Sequence, residues 1–207
     1  MMQTIWGYTI TDADALPDML TEAEFNTLTA NKYAGDARIA PELAAASMAV
    51  RSWCGWHVYP AQNCELTERQ LRGNGRVKRA GPDLLIQLPA AFVAAVTSVT
   101  IDGTAHEDYD LAANGILRLF DVPCTSRRTQ VAVAYTAGLP DGLMGGIREL
   151  IAGRVTHALA QPYGVQSESA GGVSITYSAS WAASASASAL PDDNKETLAP
   201  YRVRGVF

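Results

Sequence analysis

The pattern of apolar and polar positions changes period twice along the chain. Near the start it is helical. Thr21 and Glu24 have the spacing of a capping box, in which the hydroxyl accepts from the first turn and the carboxylate reaches back to the cap's own N–H. Phe25 and Leu28 follow on one face, which predicts a short helix over 21–31. Pro41, whose missing N–H has no partner at a first helical position anyway, opens a second helix over 41–54, with Leu43, Ala46, Val50 and Trp53 on one face. From Leu84 the period falls to that of strands: LLIQL, VTSVTI, GILRLF and VAVAY fill a β region over 84–136, and Asp102-Gly103 signals a hairpin turn. Helical spacing returns after Pro140-Asp141. Leu143, Ile147, Leu150, Ile151, Val155, Ala158 and Leu159 form a stripe with Arg148, Glu149 and Arg154 off it, predicting a helix over 141–160 that Gln161-Pro162 ends.

The remainder reads as an appendage. GGVSITYS has the pattern of a short strand or hairpin arm, and SASWAASASASAL is a low-complexity Ser/Ala linker. In the closing PDDNKETLAPYRVRGVF, Leu198, Tyr201, Val203, Val206 and Phe207 interleave with Arg202 and Arg204, the make-up of a docking segment that orders on a partner. The expected fold is α+β: a compact body over 1–160, in which the N-terminal helices and the long helix of the C-terminal half pack as a bundle. An antiparallel hairpin, small sandwich or barrel is inserted into it, and an extended C-terminal arm covers 161–207.

Composition narrows the function classes. The 207 residues are 48% hydrophobic and 18% charged, enough apolar material for a real core and too little charge for a coiled coil. Sixteen basic against twenty-one acidic residues give a net charge of −5, which cannot supply the positive field of a DNA-wrapping protein. No window approaches twenty apolar residues, and MMQTIWGYTITDADAL has neither the charged start nor the apolar core of a signal peptide, so the expectation is a soluble, cytosolic protein without membrane contact. Cys54, Cys64 and Cys124 form no CxxC pair and read as reduced thiols.

Candidate chemistry is sparse. Neither GxGxxG nor GxxxxGK[ST] occurs, GxSxG is absent, and His57, His106 and His157 lack zinc-ligand spacing, so no metal or cofactor is expected. Glu107, Asp108 and Asp110 could hold a cation, form an acid pair or lie in a solvated loop. The one concentrated positive stretch holds Arg69, Arg72, Arg76, Lys78 and Arg79; it suits a solvated face, a contact with acidic protein surface or DNA, although no aromatic residues interleave to stack on bases. Trp181, an indole inside the Ser/Ala tract, suggests burial against a neighbouring subunit, with simple exposure the alternative.

The order of the pieces VTSVTIDG, VAYTAGLP, SESAGGVSITY and LAPYR, spread over roughly 41–201, resembles the head-tail connector, or adaptor, proteins of tailed bacteriophages. The resemblance implies a non-enzymatic virion protein at the neck, assembled in the host cytoplasm. It implies a homo-oligomeric ring, dodecameric to match the portal, which binds beneath the portal protein and prolongs the channel through which double-stranded DNA passes. The ring would offer a platform to the next neck or tail protein. Carried over by position and type, the portal-docking residues are Leu198, Tyr201, Arg202, Val203, Arg204, Val206 and Phe207, while Arg69, Arg72, Arg76, Arg79 and Trp181 are candidates for a subunit or partner interface. A tail-completion or other neck protein is the near alternative; a virion-associated hydrolase using Glu107 and Asp110 is the distant one.

Overall fold

The computed structural model describes residues 1–69, 76–112, 115–122, 129–160, 167–170, 173–176 and 190–203. It is mixed α+β and divides into two units, each assembled from separated stretches: Met1–Leu16, Cys54–Pro140 and Tyr201–Phe207 form one, Pro17–Trp53 and Asp141–Pro200 the other.

The first unit is built of two antiparallel sheets. Strands β1 (Met2–Gln3), β2 (Thr9–Ile10), β3 (Gln62–Arg69), β10 (Gln130–Ala137), β6 (Val93–Ile101) and β7 (Thr104–Ala105) lie side by side in that order. Strands β4 (Val77–Ala80), β5 (Asp83–Gln87), β9 (Ile116–Leu119) and β8 (Tyr109–Ala112) form the second sheet. Both are open, so the β region is not a closed barrel. β10 shows the alternation expected of a half-buried strand: Val131, Val133, Tyr135 and Ala137 face inward. Opposite it on β3, Leu66 pairs with Val133 and Cys64 with Tyr135. The Asp102-Gly103 hairpin forms as expected, with Ile101 opposite Thr104 and both turn residues at positive φ. β6 departs from period two. Its register against β10 slips twice, leaving Ala94 and Thr97 as extra residues, so Val93, Val96 and Val99 take the inward positions with two exposed residues between each. In the second sheet Leu84, Ile86, Leu117 and Leu119 pair across two strands and are fully buried.

Sheet extends beyond the stretch that reads as β in the sequence. β3 lies before it, in a segment dense in charge, because only alternate residues need be apolar and here they are Cys64 and Leu66. β1 and β2 come from the N-terminal end.

The second unit holds the helices. In α1 (Glu22–Leu28) the capping box is complete: the Glu24 amide donates to the Thr21 hydroxyl at 3.2 Å, and the Thr21 amide donates to the Glu24 carboxylate at 2.8 Å. The helix stops three residues short of the expected end, where Ala30 and Asn31 turn to positive φ. Phe25 is buried, whereas Leu28 is 54% exposed and takes no part in the core. α2 (Ile39–Cys54) starts two residues before Pro41 and buries Leu43, Ala46 and Val50. Two of its polar groups fasten the preceding segment: the buried Ser47 hydroxyl accepts from the Met19 amide at 3.0 Å, and Arg51 donates to the Pro17 carbonyl at 2.6 Å. α3 (Gly145–Ala160) follows a 3-10 turn over Asp141–Leu143 and buries Ile147, Ile151, Val155 and Leu159 as the stripe requires; Leu143 stays exposed. The hairpin pattern near GGVSITYS is met by β11 (Ser167–Ala170) paired antiparallel with β12 (Val173–Thr176).

The described part of the C-terminal stretch is folded on its own chain. α4 (Asp192–Leu198) runs into a 3-10 turn over Ala199–Tyr201, and Leu190 and Leu198 are buried.

The cap of α1 carries a pH dependence. Hydrogen bonds from the Thr21 amide and hydroxyl hold the Glu24 carboxyl below its ordinary range, with Arg148 adding to the effect. A carboxyl lowered in the folded state stabilises fully above its unfolded value and loses that contribution as pH falls through the lowered one. Acidification from pH 7 to pH 3 should therefore lower the melting temperature of the wild type more than that of Glu24→Gln, which thermal melts across that range will show.

Candidate functional site

The residues the sequence marks as candidates are used in different ways. Arg69 stands on β3 opposite Gln130. Arg76 is half-buried: its guanidinium donates to the Trp6 carbonyl at 2.7 Å and meets the Glu68 carboxylate at 3.3 Å. Arg79, also half-buried, donates to the carbonyls of Val122 and Pro82. Arg76 thus ties the entry to β4 to the first sheet, and Arg79 ties β4 to the chain beyond β9. Arg72, Trp181, Arg204, Val206 and Phe207 lie outside the described residues.

The C-terminal candidates separate by burial. Leu198 is enclosed completely, so its role in this structure is to fill the core of the second unit. Beyond it the chain is strapped to the first unit on both sides of one residue. The buried Trp56 indole N–H donates to the Tyr201 carbonyl at 2.6 Å, and the Val203 amide donates to the Cys54 carbonyl at 2.9 Å. Arg202, between these two bonds, is exposed.

The acid–base candidates lie in different surroundings. Glu107 and Asp110 are both exposed on the approach to β8 and within it. His57 is fully buried and serves the architecture. Its Nε2 lies 2.9 Å from the Ala137 carbonyl, which can only accept, so Nε2 carries the proton; Nδ1 then accepts from the Tyr8 hydroxyl at 2.7 Å. That hydroxyl in turn accepts from the His57 amide at 3.0 Å. Burial pushes the Cys54 and Cys64 thiols up to about 12, which keeps them protonated and unreactive at neutral pH. Among the described residues no group of His, Cys, Asp or Glu is arranged to hold a metal ion.

Two surfaces that the sequence reading passed over stand out instead. The first is the turn from Thr4 to Tyr8. Its ends are joined by the Thr4 amide and hydroxyl donating to the Tyr8 carbonyl at 2.8 and 2.7 Å. Arg76 holds the Trp6 carbonyl from below, and at Gly7, φ +85°, a Cβ would stand 3.1 Å from that guanidinium. At the tip of this braced turn Ile5 is 80% exposed. The second is an open groove of ≈ 430 Å³ in the helical unit, lined by Leu20, Ala23, Glu24, Thr27 and Leu28 of the α1 region and by Gly145, Arg148 and Glu149 of α3. Arg148 is fixed at its rim by Asp141 at 2.7 Å and Glu24 at 3.5 Å. A helix whose apolar face continues past the core, as α1 does from Phe25 to Leu28, is the only sequence signal the groove offers.

No protein-family model matches the sequence. No curated protein matches it either. Among solved structures, a chain from one described as "Neck of empty GTA particle computed with C6 symmetry" is similar at 17% identity and a TM-score of 0.49, over 74% of this chain and 84% of that one.

Proposed function

We propose that this chain is a structural virion protein, a head-tail connector that forms a ring beneath the portal, continues the DNA channel and presents a platform to the next neck or tail protein. The reading rests on the ordered sequence pieces that resemble the adaptor family, which here form the β6–β7 hairpin, β10 with the turn beyond it, the β11–β12 hairpin and the strap after α4. Its function is assembly, without a reaction or a cofactor.

The observation that carries the docking role is the strap. Hydrogen bonds from Trp56 and to Cys54 hold the backbone on either side of Arg202, so an exposed arginine stands on a fixed base. Arginine suits such a place because its planar fork makes bidentate contacts with carboxylates and little rotamer freedom is lost in making them. The acidic character of the first 31 residues, which contain no Lys or Arg, fits a channel from which DNA phosphates must slide.

Mixing the purified chain with purified portal and sedimenting the complex tests this. Wild type should co-sediment, and the double variant Arg202→Glu, Arg204→Glu should lose portal binding while keeping the wild-type circular dichroism and melting temperature. Unchanged binding by the folded double variant overturns the docking role of the tail.

A further inference from the structure

The assembly role leaves the buried His57 unused, yet this side chain joins the stretch 1–16 to the sheet unit. Both of its ring nitrogens are engaged in the neutral form: Nε2–H donates to the Ala137 carbonyl of β10, and Nδ1 accepts from the hydroxyl of buried Tyr8, just ahead of β2. The rest of the attachment is short. In β2 Thr9 and Ile10 pair with β3 opposite Glu65 and Cys64, whereas β10 pairs with β3 all the way from Gln62 to Arg69 and with β6 on its other side. Thr11 and Asp12 add hydrogen bonds to Asn63, and Arg76 adds one to the Trp6 carbonyl. The stretch therefore sits at the edge of a sheet whose inner strands are held by long ladders and an aliphatic core, and a side chain that titrates near neutrality is one of its ties.

A proton taken up at Nδ1 turns that nitrogen from acceptor to donor. The Tyr8 hydroxyl hydrogen then meets an N–H where it met a lone pair, so the hydroxyl turns away or the ring moves off. The elements packed around the ring bring further titratable and charged groups. Arg76, ahead of β4, and Arg202, on the strap that Trp56 holds, carry the same sign as a protonated imidazole and repel it. Glu68 of β3 is engaged by Arg76 at 3.3 Å. Tyr135 of β10 and the thiols of Cys54 and Cys64 are kept uncharged by burial.

We propose that His57 is a proton-operated latch, whose protonation releases residues 1–16 from the edge of the sheet while β3, β10 and β6 stay paired. Release leaves β3 as an edge strand, with unpaired N–H and C=O groups open to another strand. The sign follows from the bond that is lost. The released state binds the proton more readily, so the latch is closed above the range in which a free imidazole titrates, near pH 6.5, and opens as pH falls below it. The device belongs to the single chain and does not depend on the ring.

Hydrogen exchange of the full chain, read by mass spectrometry at pH 7.5 and pH 5.5 with labelling times scaled to the intrinsic rate, tests it. This window lies above the ordinary carboxylate range, near pH 4, so imidazoles are the side chains that change charge within it. Peptides covering 1–16 should lose about tenfold in protection at pH 5.5, the effect of one coupled proton over one pH unit, while those covering β10 keep theirs. Tyr8→Phe retains the ring and removes the hydroxyl; its 1–16 stretch should exchange faster at pH 7.5 and depend less on pH than that of the wild type. Histidine 13C NMR of the wild type needs no change at the latch: with His106 and His157 identified by substitution to Gln, the remaining ring, His57, should take up its proton over the pH range in which the stretch opens. Equal protection of 1–16 at the two pH values, a loss shared equally by β10, a Tyr8→Phe chain with the wild-type pH dependence, or a His57 ring that stays neutral while the stretch opens would each overturn the latch.

Discussion

Gly138→Ala is expected to lower the stability of the sheet unit by about 2–6 kcal/mol, the sum of roughly 1–3 kcal/mol for a strained backbone and roughly 1–3 kcal/mol for forced overpacking. Gly138 follows the last residue of β10 at φ +136°, a region that side chains avoid. A Cβ there would stand 2.4 Å from both the Ala61 Cα and the Pro60 carbonyl oxygen. These are backbone atoms at the entry to β3, the strand paired with β10, so relief requires moving a strand and not a side chain. For a chain of this length the loss corresponds to about 10 °C in melting temperature. Gly153→Ala is the internal control. Gly153 lies in the exposed face of α3 with nothing near its would-be Cβ, and alanine there should stabilise by about 0.5–1 kcal/mol. Thermal melts of the two variants should move in opposite directions; a Gly138→Ala melt within a degree or two of wild type would mean that the approach of β10 to Pro60 is not as described.

Ending the chain after Leu190 is expected to cost more still, because the removed segment contributes to both units. Leu198 is fully enclosed, and deleting a buried leucine side chain costs about 2–5 kcal/mol. Loss of Tyr201 leaves the buried Trp56 indole N–H without the carbonyl it donates to, a further penalty of about 1–3 kcal/mol. Urea unfolding should show a midpoint well below wild type, and Leu198→Ala alone should reproduce the first part of the loss. The consequence for function is practical. A truncated chain that fails to bind portal reports a folding defect, whereas an Arg202→Glu chain that keeps the wild-type melting temperature reports docking.

Local features of the sequence foretold local structure. The Thr21–Glu24 capping box, the Asp102-Gly103 turn and the Ile147–Leu159 stripe depend on residues within a turn or two of one another, and all three form. Features that depend on distant partners were not legible. The basic stretch looked like a solvated face because the groups that engage Arg76 and Arg79 come from Trp6 and Val122, 70 and 43 residues away. β6 hid its inward face because two bulges spread Val93, Val96 and Val99 to every third position, a period that belongs to neither regular element. The C-terminal stretch read as a segment awaiting a partner, yet Leu198 and the carbonyl of Tyr201 find their partners within the chain. The Ile5 turn left no pattern at all, since its rigidity comes from Arg76 and His57, far along the sequence.

The proposed function requires the chain to form a ring on a portal. Electron microscopy of the wild-type protein mixed with purified portal measures this most directly. The expected image is a closed ring coaxial with the portal, with as many copies as the portal has subunits and density from the C-terminal strap at the junction. Particles in which the chain is absent, or bound as scattered single copies away from the portal axis, would contradict it.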